Sequence, residues 1–222
     1  MDKANNQGLD LRWVSLRLVE RFMNVLYPID IPMLLRLLPN IGYVVPKKSL
    51  KGIAELGEAL AIKGNVELIM NQDNKTLGVE GREVSEVVDG FNELRNFWME
   101  QLNPSPSAET HYIELGGEGI IKSHNNPTVV FGEFWARLEM MQKLSRIVGF
   151  DVVNFGLRLV PQNIDPNNTE WFDLRIQPQV ISSANHYYVN IVWRSKDMDA
   201  ALNSFRRVSE TIGALIRGVE RK

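Results

Sequence analysis

The sequence predicts an α+β protein with a mainly antiparallel sheet, long amphipathic helices packed on one face, and two related strand-and-helix halves. Three observations point there. Several runs alternate apolar and polar residues with a period of two. Two stretches step their apolar residues by three and four, the spacing of a helical seam. The order of strands followed by a helix recurs on either side of the polar, proline-containing stretch LNPSPSAET. With 222 residues and 44% hydrophobic content, the chain is long enough for one continuous domain over 1–222, its halves meeting near residues 103–109.

The elements follow in order. In RWVSLRLVERF, Val14, Leu16 and Leu18 alternate with Trp13, Ser15 and Arg17, which reads as a strand. A helical spacing through Leu11, Val14, Leu18, Phe22 and Val25 competes with it. The strand is preferred because SLRLV (residues 15–19) echoes GLRLV (residues 156–160), as a duplicated unit would. VELIMNQDNKTLGVEG reads as a hairpin turning at Gln72, Asp73, Asn74 and Lys75, where Asp and Asn favour a turn. Val84, Val87, Phe91, Leu94 and Trp98 form the first helical seam, with acidic Glu83 and Glu86 at its start complementing the helix dipole. Phe131, Phe134, Leu138, Met141 and Val148 suggest a further helix, interrupted in its seam by Ser145.

Three more strands alternate through Phe155, Leu157 and Leu159, through Phe172, Leu174 and Ile176, and through Val189, Ile191 and Trp193. The last helix carries Met198, Ala201, Phe205, Val208, Ile212, Leu215 and Val219, an unbroken seam about 30 Å long at 1.5 Å per residue. Ser195 or Asp197 is placed to cap it, and Arg217 suits its C-terminal end.

Composition narrows the function. Twenty-five basic and 27 acidic residues leave a net charge of −2, so no global field favours nucleic acid or an anionic membrane, and neither is expected as a partner. Without cysteine there are no disulfides, thiolate metal sites or Cys nucleophile. The polar start MDKANNQGLD and the lack of a long apolar run lead to the expectation of a soluble, cytoplasmic protein.

HYIELGGEGIIKSHNN (residues 111–126) holds two of the three histidines and a Gly-Gly-x-Gly run. A phosphate loop would need a following helix and a Walker lysine, whereas strand-like sequence follows here. Gly116, Gly117 and Gly119 therefore read as a hairpin turn or bulge in which glycine supplies positive φ. His111 and Glu114 are three apart, so on a strand they point to opposite faces and do not form a metal pair. Glu114 and Glu118 are the one acidic pair in an apolar, glycine-rich setting, but nothing in the sequence buries them. No catalytic residue, cofactor or metal site is assigned.

The remaining constellation is basic. Arg17, Arg158, Arg175 and Arg194 each hold the polar phase of a strand, and Trp13 and Trp171 share the phase of the arginines on their own strands. Guanidinium groups beside aromatic rings suit a carboxylate, a phosphate or a protein partner. The competing reading is a solvated sheet face whose arginines Asp173 and neighbouring acids neutralise. The expected function is a non-enzymatic interaction or ligand-binding protein that self-associates. The alternative is an enzyme or sensor that binds an anionic small molecule on the arginine-bearing face.

Overall fold

The computed structural model describes residues 10–23, 28–50, 59–102, 109–136, 138–179 and 185–220. Most of the expected junction between halves, residues 103–108, lies outside them. The fold is α+β with one eight-stranded antiparallel sheet. Its strands are β1 (Asp10–Phe22), β2 (Ala61–Lys63), β3 (Val66–Asn71), β4 (Thr76–Gly81), β5 (Thr110–Lys122), β6 (Leu157–Leu159), β7 (Trp171–Pro178) and β8 (His186–Ser195), in the order β2-β3-β4-β1-β5-β8-β7-β6. The two 13-residue strands, β1 and β5, lie side by side at its centre.

The elements between strands are α1 (Ile31–Leu37) with a 3-10 turn at Leu38–Ile41, the short α2 (Lys47–Leu50), α3 (Val84–Gln101), α4 (Pro127–Ala136), α5 (Glu139–Val148), α6 (Met198–Arg206) and α7 (Val208–Glu220). No described helix is long and apolar enough to cross a membrane.

One phase of the strands is almost entirely apolar. Leu16, Leu18 and Phe22 of β1, Leu77 and Val79 of β4, Ile113 and Leu115 of β5 and Val189 and Ile191 of β8 join one core cluster. The same cluster takes in Val87, Phe91, Leu94 and Trp98 of α3, Phe205 of α6 and Ile212 and Ile216 of α7. A single carboxylate, Glu20, enters this phase. Its burial is compensated by the Arg95 guanidinium on α3 at 3.1 Å and by the Thr110 hydroxyl.

The N-terminal strand, the hairpin and the α3 seam stand as read. Lys75 closes the hairpin turn with φ 54° and an N–H bond to the Gln72 carbonyl. Three details differ. The glycines at 116, 117 and 119 are not a turn: β5 runs straight through them, and positive φ among the described glycines occurs only at Gly42, Gly64 and Gly149. Their cause is close approach. A Cβ on Gly116 would lie 2.4 Å from the Arg17 side chain on one face, and one on Gly117 would press on Trp13, Leu16 and Ile191 on the other.

The second difference is in the last helix, which breaks at Arg207 into α6 and α7. The step from Phe205 to Val208 keeps the 3-4 rhythm across the break, so the period does not reveal it. Asp197 does cap α6, accepting from the Ala200 N–H, and Ser195 Oγ in turn accepts from the Asp197 N–H. The expected third helix is likewise two, α4 and α5.

The third difference concerns the pentapeptide echo. SLRLV lies in the central β1, whereas GLRLV spans the three-residue edge strand β6, so the two do not occupy corresponding places. Alternating leucine with arginine is what any half-buried strand requires.

Candidate binding site on the open sheet face

The other phase of the strands carries the polar side chains. Arg17 on β1, Glu80 on β4, Glu114 on β5, Arg194 and Asn190 on β8, Trp171, Asp173 and Arg175 on β7 and Arg158 on β6 follow one another across the paired registers. All four arginines read from the sequence therefore share one face. They do not meet at one point.

Arg158 and Arg175 both fork onto Asp173. Arg158 donates through Nε and Nη2 at 3.0 and 2.9 Å, and Arg175 through Nη2 at 2.7 Å. Burial pushes the Asp173 carboxyl up, but the bonds and charges of the two guanidiniums outweigh it and hold the group below the usual aspartate value. Here the neutralised-surface reading describes the geometry.

Arg17 and Arg194 share Glu114 instead. Arg17 Nη2 is 3.2 Å from one carboxylate oxygen and Arg194 Nε is 2.8 Å from the other. Arg194 also stacks its guanidinium 5.5 Å from the Trp171 ring and 5.1 Å from the Tyr112 ring. Trp171, opposite Arg194, lies two residues along β7 from Asp173, about 7 Å at strand rise.

Trp13 does not join either group. Register slips between Trp13, opposite Gly119, and Ser15, opposite Glu118, leaving Val14 as an extra residue. That bulge reverses the phase, so Trp13 turns into the core and its indole N–H donates to Ser209 Oγ at 3.1 Å.

Arg21, which the sequence reading passed over, completes the site. It follows Arg17 and Val19 in the same phase of β1, so extending the alternation by one step would have found it. Its Nη1 donates to the Tyr112 hydroxyl at 2.7 Å, and its guanidinium lies 5.4 Å from that ring. Among the described residues its hydrogen bond thus goes to a neutral phenol, not to a carboxylate.

Arg17, Arg21, Arg194, Tyr112 and Glu114 line one side of a hollow of about 360 Å³, and Asn71, Asn74, Thr76 and Glu80 of the β3–β4 hairpin line the other. The volume is that of a small-molecule site. Three guanidiniums face two carboxylates, an excess of one positive charge. Nearby, burial and then the charges of Arg21, Lys196 and Arg194 hold the His111 imidazole below its usual value, which marks this end of the sheet as electropositive.

No family model matches the chain, and neither a curated protein nor a solved structure matches it.

Proposed function

We propose that the chain is a non-enzymatic ligand-binding protein that self-associates and holds a small anion, a carboxylate or a phosphate ester, in the hollow over Tyr112. One observation carries this reading. Arg21 and Arg194 both approach the ring of Tyr112, which is almost wholly buried, and Arg21 brings a charge that no described carboxylate balances. An anion entering there meets oriented donors on a rigid strand pair, and the Asn71 and Asn74 side chains of the facing hairpin. Glu114 holds Arg17 and Arg194 in place, and Arg194 Nη1 donates to the Pro166 carbonyl at 2.9 Å, so the donors left for the ligand are Arg194 Nη2 and the N–H groups of Arg17 that do not meet Glu114.

The same reading takes the chain as one domain of two related halves. Its support is the element order. Each side of the central pair has a long strand, then helices, then three strands ending beside that long strand, then a seam-bearing helix or helix pair. Arg17 faces Glu80 across β1 and β4 as Glu114 faces Arg194 across β5 and β8, the same pair with its charges exchanged.

Calorimetric titration with inorganic phosphate and with succinate tests the site. Saturable binding that weakens with added salt and is lost in Arg21→Ala, with folding intact, is the expected result. Equal binding by wild type and Arg21→Ala, or none by wild type to either probe, overturns it.

A further inference from the structure

Two hollows of the molecule share one residue. Glu80 lines the arginine-bearing hollow of about 360 Å³ and also a neighbouring one of about 510 Å³, whose other charged lining residues are Glu67, Glu83, Glu86 and Arg82. Glu83 and Glu86 lie at the start of α3, where the helix dipole accounts for them. Glu67 and Glu80 have no such reason. They stand directly opposite each other on β3 and β4, an arrangement of like charges that weakens a sheet. Glu80 accepts from the Ser15 hydroxyl at 2.7 Å. Arg17, opposite it on β1, turns instead to Glu114 at 3.2 Å, and among the described residues no ion pair reaches Glu80. At the other end of the arginine-bearing hollow the situation is reversed, since Arg21 donates to the Tyr112 hydroxyl and meets no described carboxylate. Glu114, between them, is already shared by Arg17 and Arg194. One hollow thus holds an unbalanced positive charge at one end and an unbalanced negative charge at the other.

We infer that the ligand of this hollow is an ω-amino acid, a zwitterion with its carboxylate at Arg21 and Arg194 over Tyr112 and its amino group at Glu80. The inference rests on the anion site proposed above and names the class of molecule that enters it. A simple anion leaves Glu80 uncompensated and is repelled by it. An ammonium group instead makes charge-assisted bonds to that carboxylate and relieves its repulsion from Glu67. The strand register sets the separation of the two ends. Glu80 lies opposite Arg17, and Arg17 and Arg21 are four residues apart on β1, about 13 Å at strand rise. An α-amino acid carries both charges on one carbon and cannot meet both ends. A molecule with its charges at opposite ends of an extended chain can. Val19 and Ile69, which flank Gly78 between the two ends, line the same hollow and offer apolar contact to such a chain.

Calorimetric titration of the full chain with 6-aminohexanoate, hexanoate, glycine and inorganic phosphate decides the matter. Wild type is expected to bind 6-aminohexanoate roughly tenfold or more tighter than hexanoate, and to bind glycine no better than hexanoate. Glu80→Gln is expected to erase the advantage of 6-aminohexanoate while phosphate binds as well as before or better. Its melting curve stays where it was or rises, because the variant removes one of two like charges set face to face. Arg21→Ala is expected to lose 6-aminohexanoate and phosphate alike. If 6-aminohexanoate binds no tighter than hexanoate, or keeps its advantage in Glu80→Gln, the inference is overturned. Should phosphate in that case still bind wild type and be lost in Arg21→Ala, the anion site stands and only the amine end is wrong. Binding of neither phosphate nor 6-aminohexanoate by wild type removes the site and the inference together.

Discussion

The two faces of this sheet are built from the same strands, residue by residue in alternation, and they are held together by different physics. On the covered face, Leu16, Leu18, Ile113 and Leu115 meet Phe91, Leu94 and Phe205, and burial of apolar area supplies the stability. On the open face, Arg17, Arg194, Arg158 and Arg175 share two carboxylates that are mostly buried beneath them. Ion pairs in contact with water contribute little to folding. The covered face therefore specifies the fold, while the open face is free to be specialised for binding.

If that division is right, a charge on the covered face has the largest effect. Phe205 is fully buried on α6, and Phe205→Asp is expected to cost about 4 kcal/mol or more, read as a collapse of the urea midpoint. A near-native midpoint would abolish the contrast between the faces. Next comes Gly78, where backbone from two strands meets: an added Cβ would lie 2.1 Å from the Leu18 carbonyl oxygen and 2.6 Å from Val19 Cα. Gly78→Ala is expected to cost about 3 kcal/mol, whereas Gly132→Ala, with nothing within 4 Å of its added Cβ, leaves the midpoint unchanged or raises it.

On the open face the effects shrink. Asp173→Asn removes the carboxylate shared by Arg158 and Arg175, and about 1 kcal/mol is expected at pH 7 because both guanidiniums are half-exposed. The Asp173 carboxyl titrates lower in the folded chain than its ordinary value of 3.8, so this contribution is fully present above 3.8 and is lost as pH falls through the lower folded value. Denaturation of wild type and Asp173→Asn across that range should converge at the acid end. The smallest change is Arg21→Ala, within about 0.5 kcal/mol by thermal denaturation. A large loss there would make Arg21 a structural residue and remove the distinction on which the anion site depends.

The phases of these faces were legible in the sequence because a period of two is local. Leu16 and Arg17 had to part, and so did Ile191 and Arg194. What depended on distant strands was not legible. The bulge at Val14 looks like ordinary strand sequence, yet it sends Trp13 to the core. Gly116 and Gly117 resemble a turn because glycine is the commonest turn residue, but their reason is the crossing of Arg17 and Trp13, about a hundred residues earlier. The partition of the arginines between Glu114 and Asp173 follows from strand order, which alternation does not encode. The break at Arg207 preserved the seam's rhythm and left no trace in it.

The central place of β1 and β5 also governs how the chain can be assembled. β1 is made first, and its pairing with β4 can form early, but the edge that faces β5 waits until residues 23–109 have intervened. Until then a 13-residue row of amides and carbonyls stays open, far longer than the three-residue edges the finished sheet presents at β2 and β6. A long open edge is the part of a sheet most prone to pair with another chain. Closing the β1–β5 seam is a slow, long-range step of the kind that limits folding rate. The finished protein is guarded at its rims, and its exposure to misassembly is confined to the interval before its middle closes.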